Sequence, residues 1–138
     1  MAGERHRKAP RRTEILAELR AAGDHPTASE LHRRLRLRLP SLSLGTVYRN
    51  LEALAAEGLV GKLAAPGCAT CYDRTTDVHD HARCRRCGAV ADIERSGPAP
   101  APELPPGFAL ETWNLEYTGV CARCRGLAAV APGAAAGA

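Results

Sequence analysis

At 138 residues the chain has room for one modest domain or two very small ones, and modules of that size need a metal, disulfides or a partner subunit as a staple. Aromatic residues are only 4% of it, so apolar burial falls to Leu, Val and Ala, and a core in the second half is weak. Residues 1–62 carry 12 Lys/Arg against 7 Asp/Glu, a net of +5, and residues 63–138 carry 7 against 8, a net of −1. The basic half is either an anion-facing half or an ordinary solvated surface, and the lack of a long apolar run excludes a spanning helix.

In chain order, the basic start MAGERHRKAPRR is expected to be mobile, and with no apolar segment after it a secretory signal is not expected, which predicts a cytoplasmic protein without a membrane partner. Thr13 to Ala22 places Ile15, Leu16 and Leu19 on one helical face, with Gly23 as the stop. Pro26 and Thr27 open a second helix, Thr27 and Glu30 standing in the S/T-x-x-E relation, with Leu31, Leu35 and Leu39 inward until Pro40. Ser43 caps a third helix in which Val47, Leu51 and Leu54 face inward and Gly58 ends the run. Leu59 and Val60 begin a strand, Pro66-Gly67 turns, and Cys71-Tyr72-Asp73 returns as a β-hairpin. Three helices and a hairpin predict a winged helix-turn-helix.

From Asp77 the texture changes to closely spaced His, Cys and Asp, followed by extended candidates at Ala89–Ile93 and Phe108–Val120. The Pro-, Ala- and Gly-rich stretch Ser96–Gly107 reads as a loop, and the terminal APGAAAGA as disordered. The fold class is therefore α+β. The expected division is a winged-helix domain over 1–74, a small β-rich second domain over 75–126 and a disordered tail over 127–138.

Cys84-Arg-Arg-Cys87 and Cys121-Ala-Arg-Cys124 each hold two sulfurs at the spacing of a tight knuckle, with Gly88 directly after the first. In a reducing compartment such pairs read as thiolate ligands rather than disulfides, and four thiolates suit a structural Zn²⁺. A third pair, Cys68-Ala-Thr-Cys71, falls at the hairpin turn. It is a reactive pair, an adventitious metal site or nothing special, and a zinc-stabilised thiol redox protein using Cys68 and Cys71 is the rival from another class.

The N-terminal half of the second helix of a helix-turn-helix enters the major groove, which puts Gly45, Thr46, Tyr48, Arg49 and Asn50 near bases and phosphates. Gly45 permits close approach, Arg49 reaches a guanine edge or phosphate, and Tyr48 packs on a thymine methyl or sugar. Arg5, Arg7, Lys8, Arg11 and Arg12 are expected on the DNA backbone, or in solvent. Asp73, His79, His81 and Asp92 lie within 20 residues, and on an extended segment His79 and His81 point to one side. This nitrogen and oxygen set suits Fe²⁺, Mn²⁺ or Zn²⁺, the alternative being solvated loop residues. Asp77 and Asp80 read as loop carboxylates, Asp80 with the option of joining a second site, His25 and His32 as a polar loop residue and a solvated helix residue, and His6 as uninformative.

The order His25-Pro26-Thr27-Ala28, Thr46-Val47-Tyr48-Arg49-Asn50-Leu51, Tyr72-Asp73, His79-Asp80-His81, Cys84-x-x-Cys87-Gly88 and Gly119-Val120-Cys121-x-x-Cys124 resembles the ferric uptake regulator family from about Arg5 to Cys124. Asp73, where iron-uptake repressors usually carry Glu, makes the chain most similar to the peroxide-sensing PerR branch. The resemblance implies a non-enzymatic, homodimeric repressor of palindromic double-stranded operator DNA, acting on no small organic substrate. It implies a regulatory metal, Fe²⁺ or Mn²⁺ with Zn²⁺ an option, held by His25, Asp73, His79, His81 and Asp92, whose binding favours the DNA-binding dimer. In that branch iron and peroxide oxidise a ligand histidine, here His25 or His79, and repression is relieved. Iron-uptake (Fur), manganese (Mur) and zinc (Zur) regulators are the alternatives within the family, and Val78, where iron-uptake members tend to carry His, implies that their additional metal site is weakened. The resemblance also implies a winged helix over 1–74 hinged to a zinc-stapled α/β dimerisation domain over 75–126, with the strand Glu111–Tyr117 supplying dimer pairing. The chain departs from the family pattern in an N-terminal helix that is shortened or absent and in the Pro-rich Ser96–Gly107, a stretch that is often helical in relatives.

Overall fold

The apolar positions of the first half repeat at helical spacing, and in the computed structural model they converge from three helices: α1 over Arg5–Ala21, α2 over Ala28–Leu35 and α3 over Leu44–Ala56. The structure describes residues 5–94, 97, 102–111 and 113–127, with the side chains of 5–10 excepted. Ile15 and Leu19 of α1, Leu31 and Leu35 of α2, Leu42, and Val47, Leu51 and Leu54 of α3 form one buried cluster with Val60 and Tyr72.

α2 begins with a complete capping box: the Glu30 N–H donates to Thr27 Oγ1 at 3.2 Å and the Thr27 N–H to Glu30 Oε2 at 2.8 Å. It loses regular form at Leu35, short of the expected Pro40, and continues as a turn over 36–38. Proline disfavours helical φ/ψ at the residue before it, which unwinds the last turn. Ser43 caps α3 as expected, its hydroxyl oxygen accepting the Thr46 N–H at 3.1 Å, and Gly58 ends the helix region at φ +74°, a left-handed conformation that glycine adopts freely.

The start of α1 differs from the sequence reading. The helix begins at Arg5, not Thr13, so the Arg-rich start is helical and not the mobile segment expected of it. Arg, Lys and Ala favour helix without producing an apolar stripe, so periodicity has nothing to register there, and Pro10 forfeits only one backbone bond just past the first turn. The hairpin pairs β1 (Gly61–Leu63) with β2 (Cys71–Asp73), Lys62 opposite Tyr72. On its other edge β2 meets the segment before α2, through a Thr27–Cys71 bridge and a Tyr72 N–H donated to the Pro26 carbonyl at 2.9 Å.

The chain divides into two compact units, 1–77 and 78–138. The second holds a three-stranded sheet in the order β4 (Val90–Ile93), β3 (Asp80–Cys84), β5 (Glu116–Gly119). β3 pairs antiparallel with β4 and parallel with β5. The extended stretch expected over Phe108–Val120 contracts to β5, and among the described residues of Glu111–Tyr117 the last two are strand. Pro102, Pro105 and Pro106 lie just upstream, and a turn closed by the Phe108 N–H on the Pro105 carbonyl keeps the chain out of the ladder there. The described part of the Ser96–Gly107 loop has no regular element, while the remainder of that loop and residues 128–138 lie outside the described residues. Among the described residues of this unit the buried ones are Asp80, His81, Arg83, Cys84 and Val90, so polar groups outnumber apolar ones there.

Candidate metal centres and nucleic-acid face

Register builds the four-sulfur centre. Cys84 ends β3 opposite Gly119, the last residue of β5, so the turn after β5 brings Cys121 and Cys124 beside the turn that carries Cys87. One sulfur from each of the four lies within 4.8 Å of the others, with Cys87 and Cys121 at 3.8 Å. Gly88 at φ +76° closes the first knuckle, its N–H donating to the Cys84 carbonyl at 2.9 Å. The Cys121 N–H donates to Cys84 Sγ at 3.4 Å, and with the N–H groups of Cys87 and Arg86 it draws that thiol down to about 5. The Ala89 N–H likewise lowers Cys87, whereas hydrogen bonding to Cys121 and then burial push Cys124 up to about 12. Sulfurs this close share protons until a dication replaces them, and a closed set of four thiolates is the chemistry of structural Zn²⁺.

The second unit also carries three of the nitrogen and oxygen donors. His81 on β3 stands opposite Asp92 on β4, and His79 precedes the same strand on the same side. Asp92 Oδ1 is 2.9 Å from His79 Nε2 and 3.4 Å from His81 Nε2, and the two rings are 4.3 Å apart. The first unit carries the other two: His25 Nε2 is 3.3 Å from Asp73 Oδ2, and both side chains are buried. The second oxygen of Asp73 accepts from the Thr75 N–H at 2.9 Å and its hydroxyl at 3.1 Å, which fixes which oxygen faces His25. These are nitrogen and carboxylate donors without sulfur, a set that fits Fe²⁺ or Mn²⁺.

Two polar residues depart from their expected roles. Asp80 is a buried strand residue, not a loop carboxylate, and accepts the Leu115 N–H at 3.1 Å. His32 is not on a solvated face: its Nε2 lies 2.7 Å from the Leu42 carbonyl and ties α2 to the turn before α3. Asp77 is exposed. Cys68 lies in the hairpin turn, and the buried Cys71 directs its Sγ at the Ala69 carbonyl at 3.8 Å. Neither opens a helix, the context that would activate a thiol.

On α3, Val47, Leu51 and Leu54 turn inward, leaving Gly45, Tyr48 and Arg49 exposed and Thr46 and Asn50 half-buried. Arg49 reaches Thr46 Oγ1 at 3.4 Å, and a Cβ on Gly45 would stand 3.2 Å from the Arg49 guanidinium. Asn50 Nδ2 donates to the Thr46 carbonyl at 2.8 Å, so its amide is turned back along the helix. Arg11 is half-buried, and Arg12 forks onto both carboxylate oxygens of Glu57, so its expected place on a phosphate is taken by a carboxylate.

One cluster is invisible to sequence reasoning. Glu52 of α3 accepts the Tyr72 hydroxyl at 2.6 Å and the Lys62 ammonium at 2.8 Å, one from each strand of the hairpin. Lys62 and then Tyr72 hold the Glu52 carboxyl below its ordinary range, and burial and this carboxylate push the Tyr72 phenol up. Separations of 10 and 20 residues between different element types carry no periodic signal.

The ferric uptake regulator family model matches residues 4–117. The chain is 34% identical over 118 residues to the peroxide operon regulator of Bacillus subtilis, covering 83% of this chain and 81% of that protein. It is 36% identical over 115 residues to the transcriptional regulator FurA of Mycobacterium tuberculosis, covering 79% and 78%. The fold is similar to that of the Helicobacter pylori ferric uptake regulator, with a TM-score of 0.69 at 20% identity over 88% of this chain and 90% of that one.

Proposed function

Because the chain belongs to the ferric uptake regulator family, whose members are metal-responsive transcription regulators, we propose that it is a peroxide-responsive repressor. The helical unit reads DNA and the β unit dimerises, so that two recognition helices address the two halves of a palindromic operator. His25 and Asp73 from one unit, and His79, His81 and Asp92 from the other, are the proposed ligands of the regulatory ion. An ion that binds the DNA-competent dimer better than other arrangements shifts the population towards it.

The observation that carries the peroxide branch is Asp73, a short carboxylate oriented by Thr75 against His25. Iron held by these ligands would supply the one-electron chemistry that makes peroxide an oxidant of a neighbouring imidazole, and His25 and His79 are the proposed targets. Gly45, Thr46, Tyr48, Arg49 and Asn50 face the major groove in this reading, and Arg11 the backbone.

The test uses the zinc-loaded full chain with Fe²⁺ or Mn²⁺ and a labelled palindromic duplex. Binding should be tighter with either ion than with chelator. After Fe²⁺ and hydrogen peroxide, peptides containing His25 or His79 should gain one oxygen and DNA should be released, with Mn²⁺ protecting both. Unmodified histidines with intact binding would reassign the chain to metal-level sensing, of iron, manganese or zinc. Binding that no ion improves would end the regulatory reading altogether.

A further inference from the structure

We infer that the Tyr72–Glu52 hydrogen bond couples the metal-ligating segment of the first unit to the recognition helix, with Glu52 as a positioning residue for metal-gated DNA binding. The inference rests on the reading of His25 and Asp73 as ligands, and the rest of its support is geometry within residues 1–77.

Tyr72 and Asp73 are consecutive on β2, so their side chains leave opposite faces of the strand. Asp73 faces His25 at 3.3 Å, while Tyr72 is 1% exposed and delivers its hydroxyl to Glu52 on α3 at 2.6 Å. The strand is held on both edges: Lys62 and Tyr72 are cross-strand partners, and the Tyr72 N–H donates to the carbonyl of Pro26, the neighbour of His25. A change in the spacing of His25 and Asp73 therefore displaces β2 against the 25–27 segment, and the phenol carries that displacement to α3.

Glu52 receives both strands of the hairpin, since Lys62 donates to its other oxygen at 2.8 Å. One carboxylate thus fixes where the wing stands relative to the helix bearing Tyr48 and Arg49, two elements that meet DNA together in a winged helix. Coupling demands an element whose arrangement both sites bias, and β2 with its Tyr72–Glu52 link is that element.

The experiment compares the zinc-loaded wild type with Tyr72→Phe, Glu52→Gln and Asp73→Ala. Mn²⁺ serves as the regulatory ion, and a fluorescein-labelled duplex is selected with the wild-type chain. Mn²⁺ affinity is read by electron paramagnetic resonance of the free ion, and DNA affinity by anisotropy with and without Mn²⁺. Tyr72→Phe and Glu52→Gln should bind Mn²⁺ within about twofold of wild type while the Mn²⁺-dependent gain in DNA affinity falls by about tenfold, the scale of a typical coupling between sites. A residue that merely supported the fold would change both affinities together. Glu52 is partly exposed, so Glu52→Gln carries the test if Tyr72→Phe does not fold.

A gain that disappears in Asp73→Ala yet persists at wild-type size in folded Tyr72→Phe or Glu52→Gln overturns the coupling alone. A wild type without any gain, or one whose gain survives Asp73→Ala, overturns the ligand reading and the coupling with it.

Discussion

Single side chains in the helical unit do more than fill or coat it, and Glu52 shows this most directly. Its carboxyl is held below the ordinary value of 4.5, first by the Lys62 ammonium and then by the Tyr72 hydroxyl. A carboxyl lowered in the folded state stabilises the fold above its unfolded value, and that contribution is lost as pH falls through the lowered folded value. With the carboxylate part exposed, the contribution at neutral pH is about 1 kcal/mol after allowance for solvent screening. Chemical unfolding of wild type and Glu52→Gln should therefore differ by that amount at pH 7, and the gap should close on acidification below 4.5. A gap independent of pH would mean that packing, not charge, is what the substitution disturbs. At the same scale Leu51 is fully buried in the main cluster, and truncation to Ala should cost about 2–5 kcal/mol in the same assay.

At the scale of elements, the junction between His25 and α2 concentrates local instructions in a few residues. Thr27 is at once the N-cap of α2 and the bridge partner of Cys71, so its substitution acts on a helix and a strand edge together. Thr27→Ala should lower stability by about 1 kcal/mol from the lost cap, seen as a shifted midpoint with unchanged denaturant slope. Those elements were legible because their signals are local: the capping box, the Ser43 cap, the inward Leu positions and the Pro-Gly turn each act within a few residues. The start of α1 was not legible, because a polar helix of Arg, Lys and Ala has no apolar stripe. β5 was misjudged in length for the opposite reason, since Leu110, Trp113 and Leu115 supply strand-like residues that the upstream prolines keep out of the ladder. The four-sulfur centre was readable from spacing alone. The histidine pair was readable because a two-residue strand period puts His79 and His81 on one side, whereas the His81–Asp92 register that brings the carboxylate to them belongs to the folded sheet. What joins residues far apart in sequence, such as Arg12 with Glu57, His32 with Leu42 or Arg83 with Glu116, depends on packing that no local pattern encodes.

For the whole molecule, the two units differ in what holds them together, and this sets how the protein comes apart. The first has ten buried apolar residues in one cluster, among them Ile15, Leu19, Leu31, Leu35, Leu51 and Tyr72. Among its described residues the second buries Cys84 and Val90 as apolar members, beside Asp80, Arg83 and His81, whose burial favours folding only while their partners are kept. Arg83 donates to Glu116 at 2.8 Å, an ion pair that orients β3 against β5 but contributes little once desolvation is counted. Zinc held by the four thiolates would add a binding contribution on the order of 10 kcal/mol to the folded β unit, which is the staple so sparse an apolar interior calls for. Removal of zinc by a strong chelator, or Cys121→Ser, should leave the helical unit folded and melt the β unit. Hydrogen exchange read by mass spectrometry distinguishes the outcomes: peptides over 80–93 and 116–124 should lose protection while those over 13–56 keep theirs. Protection retained over β3 and β5 without zinc would place the stability of that sheet in its polar interior or in contact with a second copy, and not in the metal.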